Sequence, residues 1–160
     1  VSSVWQLVLK TCTLDGTMLE EIDLSQRGID LVEPHAFSNL DVLQKLTLAD
    51  NAIKRLDSDT WDGLDRLQEL DLSHNEFEEI RGQFWSCSSC LSSLQSMDFS
   101  KNSVKRIEHG SFKGLESVKK LVLSGNQLKE VVAAPFSDLA NLETLDLTNN
   151  QLVELHEQSF

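Results

Sequence analysis

The most reactive side chains of this 160-residue chain are three cysteines, two of them set as Cys87-Ser-Ser-Cys90. A Cys-x-x-Cys pair could hold a metal, but structural zinc takes four ligands, and no second pair or nearby histidine cluster completes the set. His74 and His109 fall in different parts of the chain. A thioredoxin-like redox role wants the motif at a helix N-terminus in a βαβ unit, which the serine-rich stretch around Cys87 does not offer. A local disulfide between Cys87 and Cys90, or two free thiols, is left ahead of a metal site. With Cys12 the cysteine count is odd, so at least one thiol is free or pairs beyond this sequence.

Carboxylates are the other abundant chemistry: 26 acidic residues face 14 basic ones, for a net charge of −12. They are spread along the chain at a regular period, which makes a solvated face and not a convergent acid–base pair. No Gly-rich phosphate loop, H-E-x-x-H or G-x-S-x-G is present. The expectation is a protein that is not an enzyme and needs no cofactor. The acidity argues against a nucleic-acid partner and against docking on anionic lipid, and it suits a neutral or basic protein partner or simply a soluble surface. No apolar run approaches the ~18 residues of a membrane span, so no direct membrane insertion is expected of this segment. No Asn-x-Ser/Thr sequon occurs.

The acidic period belongs to a larger one. Leu67-Gln-Glu-Leu70-Asp-Leu72-Ser-His-Asn75-Glu-Phe77 and Leu142-Glu-Thr-Leu145-Asp-Leu147-Thr-Asn-Asn150-Gln-Leu152 both follow L-x-x-L-x-L-x-x-N-x-L. The second apolar position of each unit falls at Ile22, Leu46, Leu70, Met97, Leu121 and Leu145, in steps of 24, 24, 27, 24 and 24 residues. A second apolar block comes next in each unit, as in Ile53-x-x-Leu56 and then Trp61-x-x-Leu64. Phe37, Phe84, Phe112, Phe136 and Phe160 hold the place of Trp61. These residues resemble the leucine-rich repeat family, in its 24-residue subclass common among extracellular animal proteins such as Toll-like receptor ectodomains. The resemblance implies an α/β repeat. It would be a right-handed solenoid with a parallel sheet on its concave face and an irregular or 3-10 convex side.

Elementary physics supports the same layout. The L-x-L core alternates in and out, as a half-buried strand must. One repeat cannot bury its leucines alone, so neighbours stack and their strands pair. The asparagines at 51, 75, 102, 126 and 150, with Cys12 in the equivalent place, come after the strand where the turning chain leaves backbone groups unpaired. An amide can both donate to and accept from those groups, forming a structural ladder. The phenylalanine column fills the back of the coil.

Residues 1–18 depart from the period, with 15 residues between Leu7 and Ile22, and read as an amino-terminal capping strand or first unit. A hairpin through Asp15-Gly16 is the rival reading. Six repeats come after it: 19–42, 43–66, 67–93 with a three-residue insertion, 94–117, 118–141 and an incomplete 142–160. Arg27 stands where the first of these should have its asparagine. The insertion, Phe84-Trp85-Ser86-Cys87-Ser88-Ser89-Cys90-Leu91, reads as a bulge on the convex side or flank. The last repeat would expose Leu145, Leu147, Leu152 and Leu155 unless the chain continues or a second copy pairs there, as in a homodimer through that end.

The outward strand positions are the candidate partner-binding surface: Trp5, Glu21, Asp23, Lys45, Glu69, Asp71, His74, Asp98, Lys101, Lys119, Lys120 and Asp146. Seven strands would give a face about 30 Å long. The expected function is recognition of a protein ligand or co-receptor. An extracellular setting, secreted or as a receptor ectodomain in innate immunity, adhesion or guidance, is what the resemblance implies. An intracellular scaffold in the cytoplasm is the alternative.

Overall fold

The computed structural model describes residues 19–155 except 39, 86–89 and 132–133, and leaves the side chains of residues 83, 154 and 155 out of account. Trp5, Cys12, Cys87 and Phe160 therefore lie outside the described residues. Among the described residues, six three-residue strands form one parallel sheet: β1 (Glu21–Asp23), β2 (Lys45–Thr47), β3 (Glu69–Asp71), β5 (Ser96–Asp98), β7 (Lys120–Val122) and β9 (Thr144–Asp146). Each pairs with the strand of the next repeat in matched register, so Leu46 lies beside Leu70, Leu70 beside Met97 and Met97 beside Leu121. The molecule is a leucine-rich repeat solenoid with this sheet on its concave face.

The strands are short because only one side chain per strand points inward, flanked by two that point out. Leu46, Leu70, Met97 and Leu121 are 0–2% exposed. Their counterparts Ile22 and Leu145, in the end strands of the described sheet, are only partly buried. Burial thus comes from being sandwiched between layers, as stacking requires.

The turn after each strand has one repeated device. Gln26, Asp50, His74, Lys101, Gly125 and Asn149 all have positive φ, between 53° and 70°. That left-handed residue turns the chain so that the residue after it faces inward, and only position 125 uses glycine to do so. The residue after it is the ladder asparagine. Asn75 Nδ2 donates to Leu48 O (2.9 Å) and Leu72 O (3.1 Å), while its Oδ1 accepts from Ile53 N–H (3.0 Å). Asn51, Asn102, Asn126 and Asn150 make the same three contacts one repeat apart. At position 27 the arginine takes part through its backbone, donating N–H to Asn51 Oδ1 (3.1 Å), and its side chain is exposed.

On the opposite edge the second apolar block forms strands that the period alone does not announce. β4 (Glu79–Ile80) pairs with β6 (Arg106–Ile107), and β8 (Glu130–Val131) with β10 (Glu154–Leu155), both parallel. The convex side is then closed by tight turns. In each, the leucine N–H three residues after the aromatic returns to the aromatic carbonyl: Leu40 to Phe37, Leu64 to Trp61, Leu115 to Phe112 and Leu139 to Phe136, at 3.0–3.2 Å. An i to i+3 bond eclipses the two side chains, which explains why aromatic-x-x-Leu is the spacing that fills this wall. Helical structure among the described residues is confined to two 3-10 segments, Ser58–Trp61 and Gly82–Trp85.

The insertion begins differently from its sequence reading as a bulge. Trp85 is 2% exposed and stacks on Trp61 with centroids 5.4 Å apart; Phe99 and Phe84 meet it edge-on. Its indole is too large an apolar surface to leave in water, so it packs inward and belongs to the core wall, not to a bulge. Cys90, at the far side of the insertion, is buried and disulfide-bonded.

Candidate functional site

The outward residues of the sheet form columns, one member per repeat, across a face about 24 Å long at strand spacing. The column after each central leucine reads Asp23, Thr47, Asp71, Asp98, Val122 and Asp146. Its aspartates are bonded within their own turns. Asp71 Oδ1 accepts Ser73 N–H (2.9 Å), Asp98 Oδ1 accepts Ser100 N–H (2.7 Å), and Asp23 and Asp146 take both the N–H and the hydroxyl of Ser25 and Thr148. These are Asx turns that start the reversal toward the ladder asparagine. The Ser25 hydroxyl, helped by its N–H, holds the Asp23 carboxyl below the usual aspartate range. The Thr148 N–H, then its hydroxyl, does the same for Asp146. One oxygen of each carboxylate is therefore committed to the fold, and Asp146 also takes a hydrogen bond from the Ser124 side chain.

The column before the central leucine is freer: Glu21, Lys45, Glu69, Ser96, Lys120 and Thr144. Lys45 and Glu69 pair across neighbouring strands at 3.1 Å, and the Glu69 carboxylate holds the Lys45 ammonium above the usual lysine range. Lys119, one residue before Lys120, stands 3.8 Å from Glu143. In the turn column His74 Nδ1 is 3.5 Å from Asp50. Such exposed pairs are screened by solvent and add little stability, but they set a charge pattern. Glu20, Glu21, Asp23, Asp50, Glu69 and Asp71 make the β1–β3 half acidic against Lys45 and Arg27, whereas Lys101, Lys119 and Lys120 balance Asp98, Glu143 and Asp146 on the β5–β9 half.

Two features of this surface were not singled out from sequence. A shallow dip of about 170 Å³ lies over β2, β3 and β5, between Lys45, Thr47, Asp71 and Asp98. A charged cluster occupies the β4–β6 edge: Glu79 is bonded by both Arg81 and Arg106, with Glu108 beyond and Lys105 pairing with Glu78 at 3.0 Å. Arg81, then Arg106, holds the Glu79 carboxyl below the usual glutamate range. The signal for it is the parallel β4–β6 pairing, which brings residues 27 apart into contact and which no local motif marks. Among the described residues no group of three or more His, Cys, Asp or Glu side chains could hold a metal ion. Nor is any described helix long and apolar enough to cross a membrane.

This architecture is that of a leucine-rich repeat protein, and the family model for leucine rich repeats matches residues 17–77, 84–128 and 118–160. The chain belongs to that family. Among solved structures it is similar to a TLR13 complex with ssRNA13, at TM-score 0.72 and 27% identity over 98% of this chain and 24% of that one. It is similar to the leucine-rich repeat domain of APL1B, at TM-score 0.69 and 26% identity over 82% of this chain and 38% of that one. It also shares its fold with Toll in the Toll–Spatzle complex of Drosophila, at TM-score 0.64 and 22% identity, covering 73% and 17%. The chain thus spans well under half the length of these relatives. No curated protein matches it significantly.

Proposed function

We propose that this chain is a non-catalytic recognition module, binding a protein partner through the concave or flanking face as part of a secreted protein or receptor ectodomain in innate immunity, adhesion or guidance. The observation that carries this reading is the concave sheet itself. It is a row of exposed charged and polar side chains held in register by the inward asparagine ladder, and apart from the aspartates bonded within their own turns these outward groups are available to a partner. The similarity to TLR13 and Toll, each solved with a ligand, supports a ligand-binding role. That one of these ligands is an RNA shows that the fold does not exclude nucleic acid. On this chain the acidic β1–β3 half favours protein, because a phosphate backbone needs clustered cations along its length.

The disulfide at Cys90 supports an oxidising compartment, since cytosolic thiols are kept reduced. Cys87 is the partner we assign to it by its spacing. Mass-spectrometric thiol counting on native material tests this: one free thiol, Cys12, is expected, and three free thiols would favour an intracellular scaffold. For the face itself, the decisive experiment is binding of a secreted-protein fraction to immobilised chain. Charge reversal at Lys45 and Glu69 should weaken capture, and reversal at the convex Lys113 should not. Equal loss from both would refute concave recognition.

A further inference from the structure

In a chain of net charge −12, three lysines gather on one stretch of the sheet. Lys120 lies on β7, beside Ser96 of β5. Lys101 leaves the turn after β5 and leans over Gly125, where an added Cβ would stand 3.2 Å from Lys101 Cγ. The five steps from Lys120 to Gly125, which end in the turn after the strand, span at most about 16 Å, so the two lysines lie toward opposite margins of the face. Between them the aspartate column breaks. Val122 takes the place that Asp98 and Asp146 hold on either side, and it is only partly buried.

Lys101 and Lys120 form no ion pair with a carboxylate among the described residues, and Lys119 has only Glu143 at 3.8 Å. Asp98 and Asp146 remain charged neighbours, each with one oxygen tied to a turn N–H. Lys120 still acts on Asp146 through space, so this is an apolar spot bracketed by cations outside ion-pair distance, with carboxylates on both flanks, and it matches a ligand whose negative charges are spaced and not continuous.

We propose that Lys101, Lys120 and Val122 form a docking patch for an acidic peptide segment of a protein partner, with its carboxylates on the two ammonium groups and one apolar side chain on Val122. The proposal rests on the recognition role above and narrows it to one patch and one ligand chemistry. Single-stranded RNA fits less well. Its phosphates would run past Asp98 and Asp146, and the described concave face offers no Phe, Trp or Tyr on which bases could stack.

The test uses the whole chain and three labelled probes: a short peptide of glutamates around a central leucine, its lysine counterpart, and a single-stranded RNA oligonucleotide. Fluorescence anisotropy at low and physiological salt should show binding of the acidic peptide that weakens with salt. Lys101→Glu with Lys120→Glu should lower that affinity about tenfold or more, and Val122→Asp, which restores the column, should lower it several-fold. Because all three side chains are at least partly exposed, unchanged circular dichroism should accompany each loss; Lys101→Gln with Lys120→Gln serves as the milder pair. Absence of acidic-peptide binding, binding indifferent to these variants, or RNA binding that the lysine pair alone abolishes would overturn the patch. If it fails while Lys45 and Glu69 variants still weaken partner capture, concave recognition stands and only this location is wrong.

Discussion

Replacing Asn75 by alanine measures what one rung of the ladder contributes, and the geometry says which lost contacts matter. Asn75 is 7% exposed, so water cannot substitute for what the side chain leaves behind. Leu48 O still accepts from Asn51 Nδ2 at 2.9 Å, and Leu72 O still accepts from Asn102 Nδ2 at 3.0 Å. These two carbonyls are shared by successive asparagines, and Ser73 O, which Asn75 Nδ2 also reaches at 3.2 Å, still accepts from Asp50 N–H, so none of the three is orphaned. The Ile53 N–H differs, because Asn75 Oδ1 is its acceptor, and in the variant it is a buried donor without a partner. One orphaned buried donor costs about 1–3 kcal/mol, and two lost shared bonds add about 0.5–1.5 kcal/mol each. A loss of about 3 kcal/mol is expected, a fall in thermal midpoint of about 6–12 °C.

Asn150 supplies the internal comparison. It makes the same bonds, but both it and the Leu128 N–H bond are only part-buried, so Asn150→Ala should cost about 1 kcal/mol. Asn75→Asp should be worse than alanine at neutral pH, because a buried carboxylate would face the Leu48 and Leu72 carbonyls. Its folded pKa would then be raised, so stability should recover as pH falls through that value and the protonated acid becomes a donor. Urea denaturation monitored by circular dichroism, with hydrogen exchange at Ile53, reads all three. Asn75→Ala within 0.5 kcal/mol of the parent, roughly the scatter of neutral surface changes, would refute the orphan-donor reasoning, as would an equal cost at Asn150.

Other expectations rest on single contacts. Gly82→Ala places a Cβ 2.7 Å from Gly110 O, a backbone atom that cannot swing aside, so a loss of about 1–3 kcal/mol is expected by urea titration. Trp61 Nε1 donates to Phe84 O, whereas Trp85 Nε1 is buried with no hydrogen-bond partner among the described residues. Trp61→Phe should therefore cost about 1 kcal/mol more than Trp85→Phe, and the reverse order would sink that reading of the stacked pair. Glu79 titrates below the usual glutamate range, so its pairing stabilises the fold above its unfolded pKa of about 4.3 and is lost as pH falls through the lower folded value. Glu79→Gln should thus be less stable than the parent at pH 7 and converge on it in acid; a constant gap across pH would contradict the pairing.

Much of this molecule can be read in one dimension, because a solenoid repeats one local rule. The leucines of L-x-x-L-x-L, the inward asparagine and the aromatic-x-x-Leu wall each recur at a constant offset. Inward and outward positions are therefore found by counting. Even the break at Val122 is visible as a missing aspartate. Counting cannot say which outward groups are already engaged. The Asx bonds of Asp71 and Asp98 come just before the left-handed residues His74 and Lys101, a backbone state that neither residue type announces.

Contacts between repeats were decided only in three dimensions. The β4–β6 pairing gathers Glu79, Arg81, Arg106 and Glu108, because parallel strands in register carry side chains 27 residues apart to one place. Trp85 belongs by sequence to a serine-rich insertion, yet its contacts with Trp61 and Phe99 draw it into the core. The sequence by itself determined the coil, since each repeat must bury the same face against its neighbours. Tertiary structure decided which of the acidic residues are turn caps and which lysines are left unpaired, because those depend on distances across repeats that no period encodes.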